Sequence, residues 1–210
     1  MDRVIIPDIV VGRLPLYLRT LQLMLSEGRQ VTSSQELGER LGISAAQIRK
    51  DLSQFGEFGK QGTGYSIEFL TDQLRSILHV DKIWDMVVVG AGDIGHAISR
   101  YLGFSNRGFR VALVFDNEIA KIGQKIGDFV IHDIANLPSM VQKANIQVAM
   151  LAVPASQAQV VTDILVKSGV RAILNYAPIN LNVPKGVYVQ YTDPVVHLQR
   201  MSFYLESMND

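Results

Sequence analysis

The sequence predicts an α/β chain built in two parts, and three observations predict it. From Asp85 onward, short apolar runs alternate with amphipathic stretches, the pattern of βαβ units wound around a buried parallel sheet. Before about residue 70 the pattern is helical, with two serine-capped helices separated by a glycine turn and followed by a glycine-dense stretch. A last amphipathic segment, VVHLQRMSFYLESM, reads as a closing helix with Val195, Leu198, Met201 or Ser202, and Leu205 on one stripe. The expected division is a first domain over residues 1–83 with a linker at about 70–83, a second over 84–193, and the terminal helix over 194–210.

Of the 210 residues, 48% are hydrophobic and 19% charged, enough for packed cores and too apolar for a disordered or low-complexity chain. The absence of cysteine excludes a disulfide framework, a thiolate metal site and a cysteine nucleophile, and it fits a reducing compartment. The first residues lack a basic stretch followed by a long apolar one, and no run of about 18 apolar residues occurs. A cytoplasmic, soluble chain without a membrane partner is therefore expected. Formal net charge is zero, and the 20 basic and 20 acidic side chains divide evenly between residues 1–83 and the remainder. Bulk charge thus argues against nucleic acid, and any such reading must rest on local placement.

Along the chain, a leucine-rich helix is expected over residues 15–27, ending at Gly28. Ser33 with Glu36 and Ser44 with Gln47 form capping boxes that open the helices QELGERLG and AAQIRKDLSQF. Their junction, Leu41-Gly42-Ile43, has helix-turn-helix spacing over about residues 17–56: Gly38 is small where the helices cross, Gly42 makes the turn, and Ile48 packs inward. On the later helix Ile48, Leu52 and Phe55 form the apolar stripe, which leaves Arg49 with Ser53, and Lys50 with Gln54, as neighbours on the outer face. Such side chains suit a major groove, because Arg reads guanine edges bidentately, Gln reads adenine, and Ser or Lys holds phosphates. The candidate DNA-binding set is Ser44, Gln47, Arg49, Lys50, Ser53 and Gln54, with Lys60 on a wing formed by the hairpin GEFGKQGTGYSIEFL. Asp51 and Glu57 are expected to face away from phosphate or to pair with Arg49 and Lys50. The same pattern also allows a solvated helix in a dimerisation or adaptor module. The stretch TDQLRSILHV suits a linking helix.

In the second part, VVVGAGDIGHAISRYLG places Gly90, Gly92 and Gly95 directly after a strand-like run and at the start of a helical one. This spacing suits a dinucleotide. Gly90 permits the strand-to-helix turn, Gly92 lets the backbone approach a pyrophosphate, and Gly95 allows the helix to pack on the sheet; N–H groups at the helix start then face the phosphates. Ala91, Asp93 and Ile94 complete the candidate loop. The next run, RVALVFD, ends in Asp116, about 20 residues after Gly95, where a carboxylate takes both hydroxyls of the adenosine ribose and repels a 2′-phosphate. NAD or NADH is favoured over NADP.

A catalytic reading has less to stand on. None of the seven tyrosines has a Lys four residues on, the four histidines (His79, His96, His132 and His197) show no metal-ligand spacing, and Gly59-Lys60 is followed by Gln61, unlike a Walker A loop. No catalytic or metal site is expected. The rival reading is a compact NAD-dependent oxidoreductase with an N-terminal interaction module.

The motifs Gln47-Ile48-Arg49-Lys50-Asp51-Leu52-Ser53, Phe55-Gly56, Gly62-Thr63-Gly64-Tyr65, GAGDIG and ILNYAP resemble those of the Rex family of redox-sensing transcriptional repressors, over essentially the whole chain. The resemblance implies a homodimer of winged-helix plus Rossmann subunits that binds double-stranded DNA at inverted-repeat operators and leaves them when NADH binds. It implies a C-terminal helix exchanged between subunits, lying against the partner's winged helix. It further implies that Val153, Pro154 and Ala155, with Asn175 and the residues up to Pro178, belong to the cofactor-pocket loops. Arg19, Tyr101 and Asp193 resemble the family's polar group near the nicotinamide, which couples cofactor to dimer geometry. Three positions depart from the pattern. Asp93 stands where a neutral or basic residue is usual, Gln54 where an aromatic is usual, and Pro194 where an apolar or aromatic residue is usual. The expected function is that of an NADH-responsive, sequence-specific repressor without enzymatic activity.

Overall fold

The computed structural model describes residues 6–59 and 64–207, in two compact units that divide between Lys82 and Ile83. The first unit runs α1 (Asp8–Ser26), β1 (Val31–Thr32), α2 (Ser34–Leu41), α3 (Ala45–Leu52), β2 (Tyr65–Ser66) and α4 (Ile67–Ile77). Its core joins all four helices: Leu14, Tyr17, Leu21 and Met24 of α1 meet Leu37 of α2, Ile48 and Leu52 of α3, and Ile67, Leu70 and Leu74 of α4. The short strands pair antiparallel, Val31 opposite Ser66 and Thr32 opposite Tyr65, so the stretch expected as one hairpin instead pairs with the strand before α2, and its last residues, from Ile67, open α4. Both serine caps form, Ser33 Oγ accepting the Glu36 N–H at 3.1 Å and Ser44 Oγ accepting the Gln47 N–H at 3.2 Å. Gly42 is left-handed, with φ of 67°, and a Cβ on Gly38 would strike the Ile43 carbonyl oxygen, so the turn between α2 and α3 needs glycine at both places.

Three further expectations for this unit are corrected. Helix α1 starts at Asp8, with Pro15 inside it. An interior proline costs a helix about 3 kcal/mol, yet the buried stripe Val10, Leu14, Tyr17, Leu18, Leu21 and Met24 runs through that point, and packing outweighs the local penalty. Helix α3 ends at Leu52, and Ser53 to Phe55 form a turn in which the N–H groups of Gln54 and Phe55 reach back to Asp51 and Leu52. The stretch read as a linking helix belongs to α4, whose buried face is part of the first core.

The second unit runs β3 (Trp84–Val89), α5 (Asp93–Ser99), a 3-10 segment (Leu102–Arg107), β4 (Phe109–Asp116), β5 (Lys125–Ile126), β6 (Phe129–Asp133), α6 (Leu137–Lys143), β7 (Val148–Leu151), α7 (Ala155–Lys167), β8 (Ala172–Asn175), β9 (Tyr188–Tyr191) and α8 (Pro194–Ser207). The sheet order is β5-β6-β4-β3-β7-β8-β9, parallel throughout except for the β5–β6 hairpin. Alternation along β3 feeds two cores, Val87 and Val89 packing with Leu137, Val141, Ala158 and Leu165 on one face, Met86 and Val88 with Ile98, Val114 and Ile131 on the other. The run DIGHAISRYLG is not one helix, because α5 stops at Ser99 and the following residues, rich in Gly, Ser and Asn, take the tighter 3-10 form. The β5–β6 hairpin turns on Gly127, at φ of 59°.

Candidate functional site

From β6 to β9 the parallel strands stand in the doubly wound order, with its reversal point between β3 and β7. A crevice opens there, outside the carboxyl ends of the strands, where such folds take nucleotides. The three glycines have different tasks. Gly90 leaves β3 at φ of 102°, and a Cβ on it would strike the Ala152 carbonyl oxygen that follows β7. A Cβ on Gly95 would strike the Gly90 carbonyl oxygen, so α5 rests directly on the loop. A Cβ on Gly92 would meet no protein atom within 4 Å; its space belongs to the crevice. These loop features fit a pyrophosphate at the start of α5. The cavity measures about 650 Å³, the size of a small-molecule site.

Asp116, at the end of β4 and buried, faces this cavity, but its carboxylate is already engaged. Oδ2 accepts the Ala91 N–H at 2.6 Å and Oδ1 accepts the Glu118 N–H at 2.8 Å, while Lys121 Nζ lies 3.5 Å from Oδ2. Burial alone would raise this carboxyl, but the Glu118 and Ala91 N–H groups and the Lys121 ammonium outweigh it and hold it below the usual carboxylate range. Asp116 therefore pins the glycine loop while it faces the cavity, and part of its acceptor capacity is already taken by backbone N–H groups.

Other expected cofactor residues separate. Gly90, Gly92, Asp93, Ile94, Val153 and Pro154 line the cavity, Ala91 serves it through its N–H to Asp116, and Ala155 opens α7 beside it. Asn175 does not line it. Its buried side chain donates to the Ala177 and Ile179 carbonyls and accepts the Ala177 N–H, so it shapes the loop that brings Tyr176, Ala177 and Pro178 to the crevice. Tyr101 lines a separate hollow, edge-on to Phe104 at 4.9 Å. Sequence reasoning missed Glu118, Lys121, Ile134, Gln157, Val160 and Ile164, which sit on the cavity wall. The last two follow helical spacing on α7 and carried a findable signal. Among the described residues no cluster of three or more His, Cys, Asp or Glu could hold a metal.

In the first unit Arg49 and Lys50 are exposed on α3, and Arg49 Nη1 donates to Ser34 Oγ at 2.9 Å. Ser44 is exposed at the cap, and Ser53 Oγ donates to the Lys50 carbonyl at 2.9 Å just past the helix end. Gln54 is half-buried in the turn, and Lys60 lies outside the described residues. Gln47 turns inward and donates to Asp51 Oδ1 at 2.7 Å. Asp51 pairs with neither Arg49 nor Lys50, contrary to one expectation. It is fully buried, receiving Arg13 Nε at 2.6 Å, Arg13 Nη2 at 2.7 Å and Tyr17 Oη at 2.6 Å, all from α1. Arg19 is exposed on α1, and Asp193 Oδ1 accepts the Val195 N–H at 2.9 Å as a cap on α8.

Comparison with known proteins agrees with both units. A family model described as "Putative DNA-binding protein N-terminus" matches residues 5–53, and one described as "CoA binding domain" matches residues 81–179. The redox-sensing transcriptional repressor Rex of Chloroflexus aggregans is 53% identical over 199 residues, covering 95% of this chain and 94% of that one. The Rex of Carboxydothermus hydrogenoformans is 43% identical, covering 94% and 95%. A crystal structure described as RSP in complex with beta-NAD+ and operator DNA superposes with a TM-score of 0.92 at 36% identity, covering 99% of this chain and 95% of that one. Another, RSP in complex with beta-NADH, gives 0.90 at 34%, covering 99% and 97%. A winged helix-turn-helix followed by a glycine-loop Rossmann sheet defines the class of transcription regulators with a nucleotide-binding sensor domain. Within that class the chain belongs to the Rex family of redox-sensing transcriptional repressors.

Proposed function

We propose that this chain is a sequence-specific DNA-binding repressor that senses the NADH/NAD balance and releases its operator when NADH binds. The observation that carries the reading is the presence in one chain of an outward Arg49 and Lys50 on a capped recognition helix and a glycine-loop crevice closed by Asp116. An oxidised nicotinamide carries a positive charge that the reduced ring lacks. An apolar wall such as Val153, Pro154, Val160 and Ile164 therefore penalises NAD by desolvation and converts redox state into affinity. Release follows if NADH binds the form with low operator affinity more tightly, since a ligand shifts an equilibrium only through differential affinity.

In this reading residues 1–83 bind DNA, 84–193 bind the cofactor, and the C-terminal segment from residue 194, which carries α8, is exchanged in a homodimer. The apolar side chains Val195, Leu198, Met201 and Leu205, all more than half exposed in the single chain, support that exchange. No helix among the described residues is long and apolar enough to cross a membrane, and we place the protein in the cytoplasm with its operator. The deciding experiment selects an inverted-repeat duplex from a random pool with the full chain, then titrates the complex separately with NAD, NADH and coenzyme A. Release by NADH at concentrations where the other two do nothing is expected; release by all three alike, or by none, overturns the reading.

Three variants refine it. Arg49→Ala should lose about 1 to 3 kcal/mol of discrimination between operator and scrambled duplex while NADH affinity stays unchanged. An unaltered operator preference removes Arg49 from base readout. Asp116→Ala should weaken NADH about tenfold or more, because loop pinning and a ribose hydrogen bond are lost together, and should narrow the gap to NADPH. Fluorescence titration of both cofactors measures it. Asp193→Ala should leave operator affinity intact and reduce the release caused by NADH. If Asp193 only caps α8, its loss lowers stability by about 1 kcal/mol and leaves the coupling alone. Measuring NADH affinity with and without saturating operator decides, because linkage is reciprocal.

A further inference from the structure

Among the described residues lining the crevice Lys121 is the one cation, beside three carboxylates, Asp93, Asp116 and Glu118. Its Nζ lies 2.6 Å from Glu118 Oε2 and 3.5 Å from Asp116 Oδ2. Backbone geometry sets this up: the Lys121 N–H donates to the Glu118 carbonyl at 2.9 Å, a turn that brings the two side chains to the same side. The ribose end is therefore more constrained than a lone Asp116 would make it. Asp116 already receives the Ala91 and Glu118 N–H groups, is further held down by the Asn117 N–H and stands beside Lys121, so little of its acceptor capacity is free. An ammonium has three donors and no acceptor, and the two carboxylates hold its charge between them.

A 2′-phosphate presents a different demand. It needs a cation, and the one nearby is held by Glu118, which adds a negative charge of its own at the mouth of the site. We infer that Glu118, acting through Lys121, is a second determinant of cofactor selectivity beside Asp116, keeping the lysine from serving a 2′-phosphate. The inference rests on the NADH reading of the crevice given above. Glu118 and Lys121 are both partly exposed, at 55% and 33%, so substitution leaves the fold in place.

The test titrates NADH and NADPH separately, by fluorescence, into the full chain as wild type, Glu118→Gln, Lys121→Met and the double variant. Glu118→Gln should tighten NADPH about tenfold, the effect of freeing the lysine for one charge-assisted hydrogen bond, with NADH within about twofold. Lys121→Met alone should bring no improvement for NADPH, and in the double variant the tightening should disappear. An unchanged ratio of the two dissociation constants in Glu118→Gln overturns the inference. So does a tightening that survives in the double variant, which would mean simple loss of repulsion without the lysine. Both results leave the cofactor reading standing, whereas a wild-type chain that binds neither dinucleotide overturns that reading and this inference with it.

Discussion

Asp51→Ala is expected to destabilise the N-terminal unit by about 3 to 5 kcal/mol, the cost of breaking a buried ion pair by removing one partner. The carboxylate receives four hydrogen bonds, two from Arg13, one from Tyr17 and one from Gln47. Without it the buried Tyr17 hydroxyl is left with no acceptor, and the part-buried Arg13 guanidinium and Gln47 amide lose the carboxylate that holds them. That loss is a large part of the roughly 5 to 15 kcal/mol that holds a domain. Urea unfolding followed by circular dichroism measures it, and a loss under about 1 kcal/mol would show that water replaces the carboxylate at no penalty. Acid should act on the same group. Burial alone would raise the Asp51 carboxyl, but the Arg13, Tyr17 and Gln47 donors prevail and hold it below the ordinary carboxylate range. A depressed folded-state value means stability that is present above the ordinary carboxylate pKa of about 4 and lost as pH falls through the lower folded value. Asp51→Asn should flatten that part of the acid limb while destabilising the unit at neutral pH.

Gly95→Ala and Gly92→Ala should both abolish most NADH binding, for different reasons that a stability measurement separates. At Gly95 the new methyl meets the Gly90 carbonyl oxygen, backbone against backbone with no flexible side chain to yield. The loop must shift, and overpacking of this kind costs about 1 to 3 kcal/mol. At Gly92 the methyl meets no protein atom and stability should stay within about 0.5 kcal/mol, while the methyl occupies the space through which the backbone approaches a phosphate. A drop in NADH affinity of tenfold or more in a Gly92→Ala chain that melts like wild type would assign that space to the ligand. Full affinity in the same variant would place the pyrophosphate elsewhere.

Much of this protein is written in local pattern. Serine caps on α2 and α3, the left-handed Gly42, the parallel-strand runs and the glycine loop all follow from a residue and its neighbours within one or two turns, because propensity, capping and periodicity are short-range effects. The β5–β6 hairpin also carries a local signal, a Gly127-Asp128 pair between apolar residues, that the alternation of longer apolar runs overshadows. Helix α1 shows the opposite case, where the local rule against interior proline is correct in sign and too small to decide.

The class of each unit, the position of the phosphate loop and the family were all legible in the residues alone. Who partners whom came from packing: Asp51 with Arg13, 38 residues away; Asp116 with the Ala91 N–H, 25 residues away; and Asn175 with its own loop in place of the cavity. Lys121 and Glu118 joined the crevice in the same way. A charged or polar side chain has several satisfactory partners in any sequence, and its energy differs little among them in water. Burial removes that freedom, since an unpaired polar group inside the fold costs far more than a wrong choice at the surface, and which groups are buried together is known only once the chain has packed.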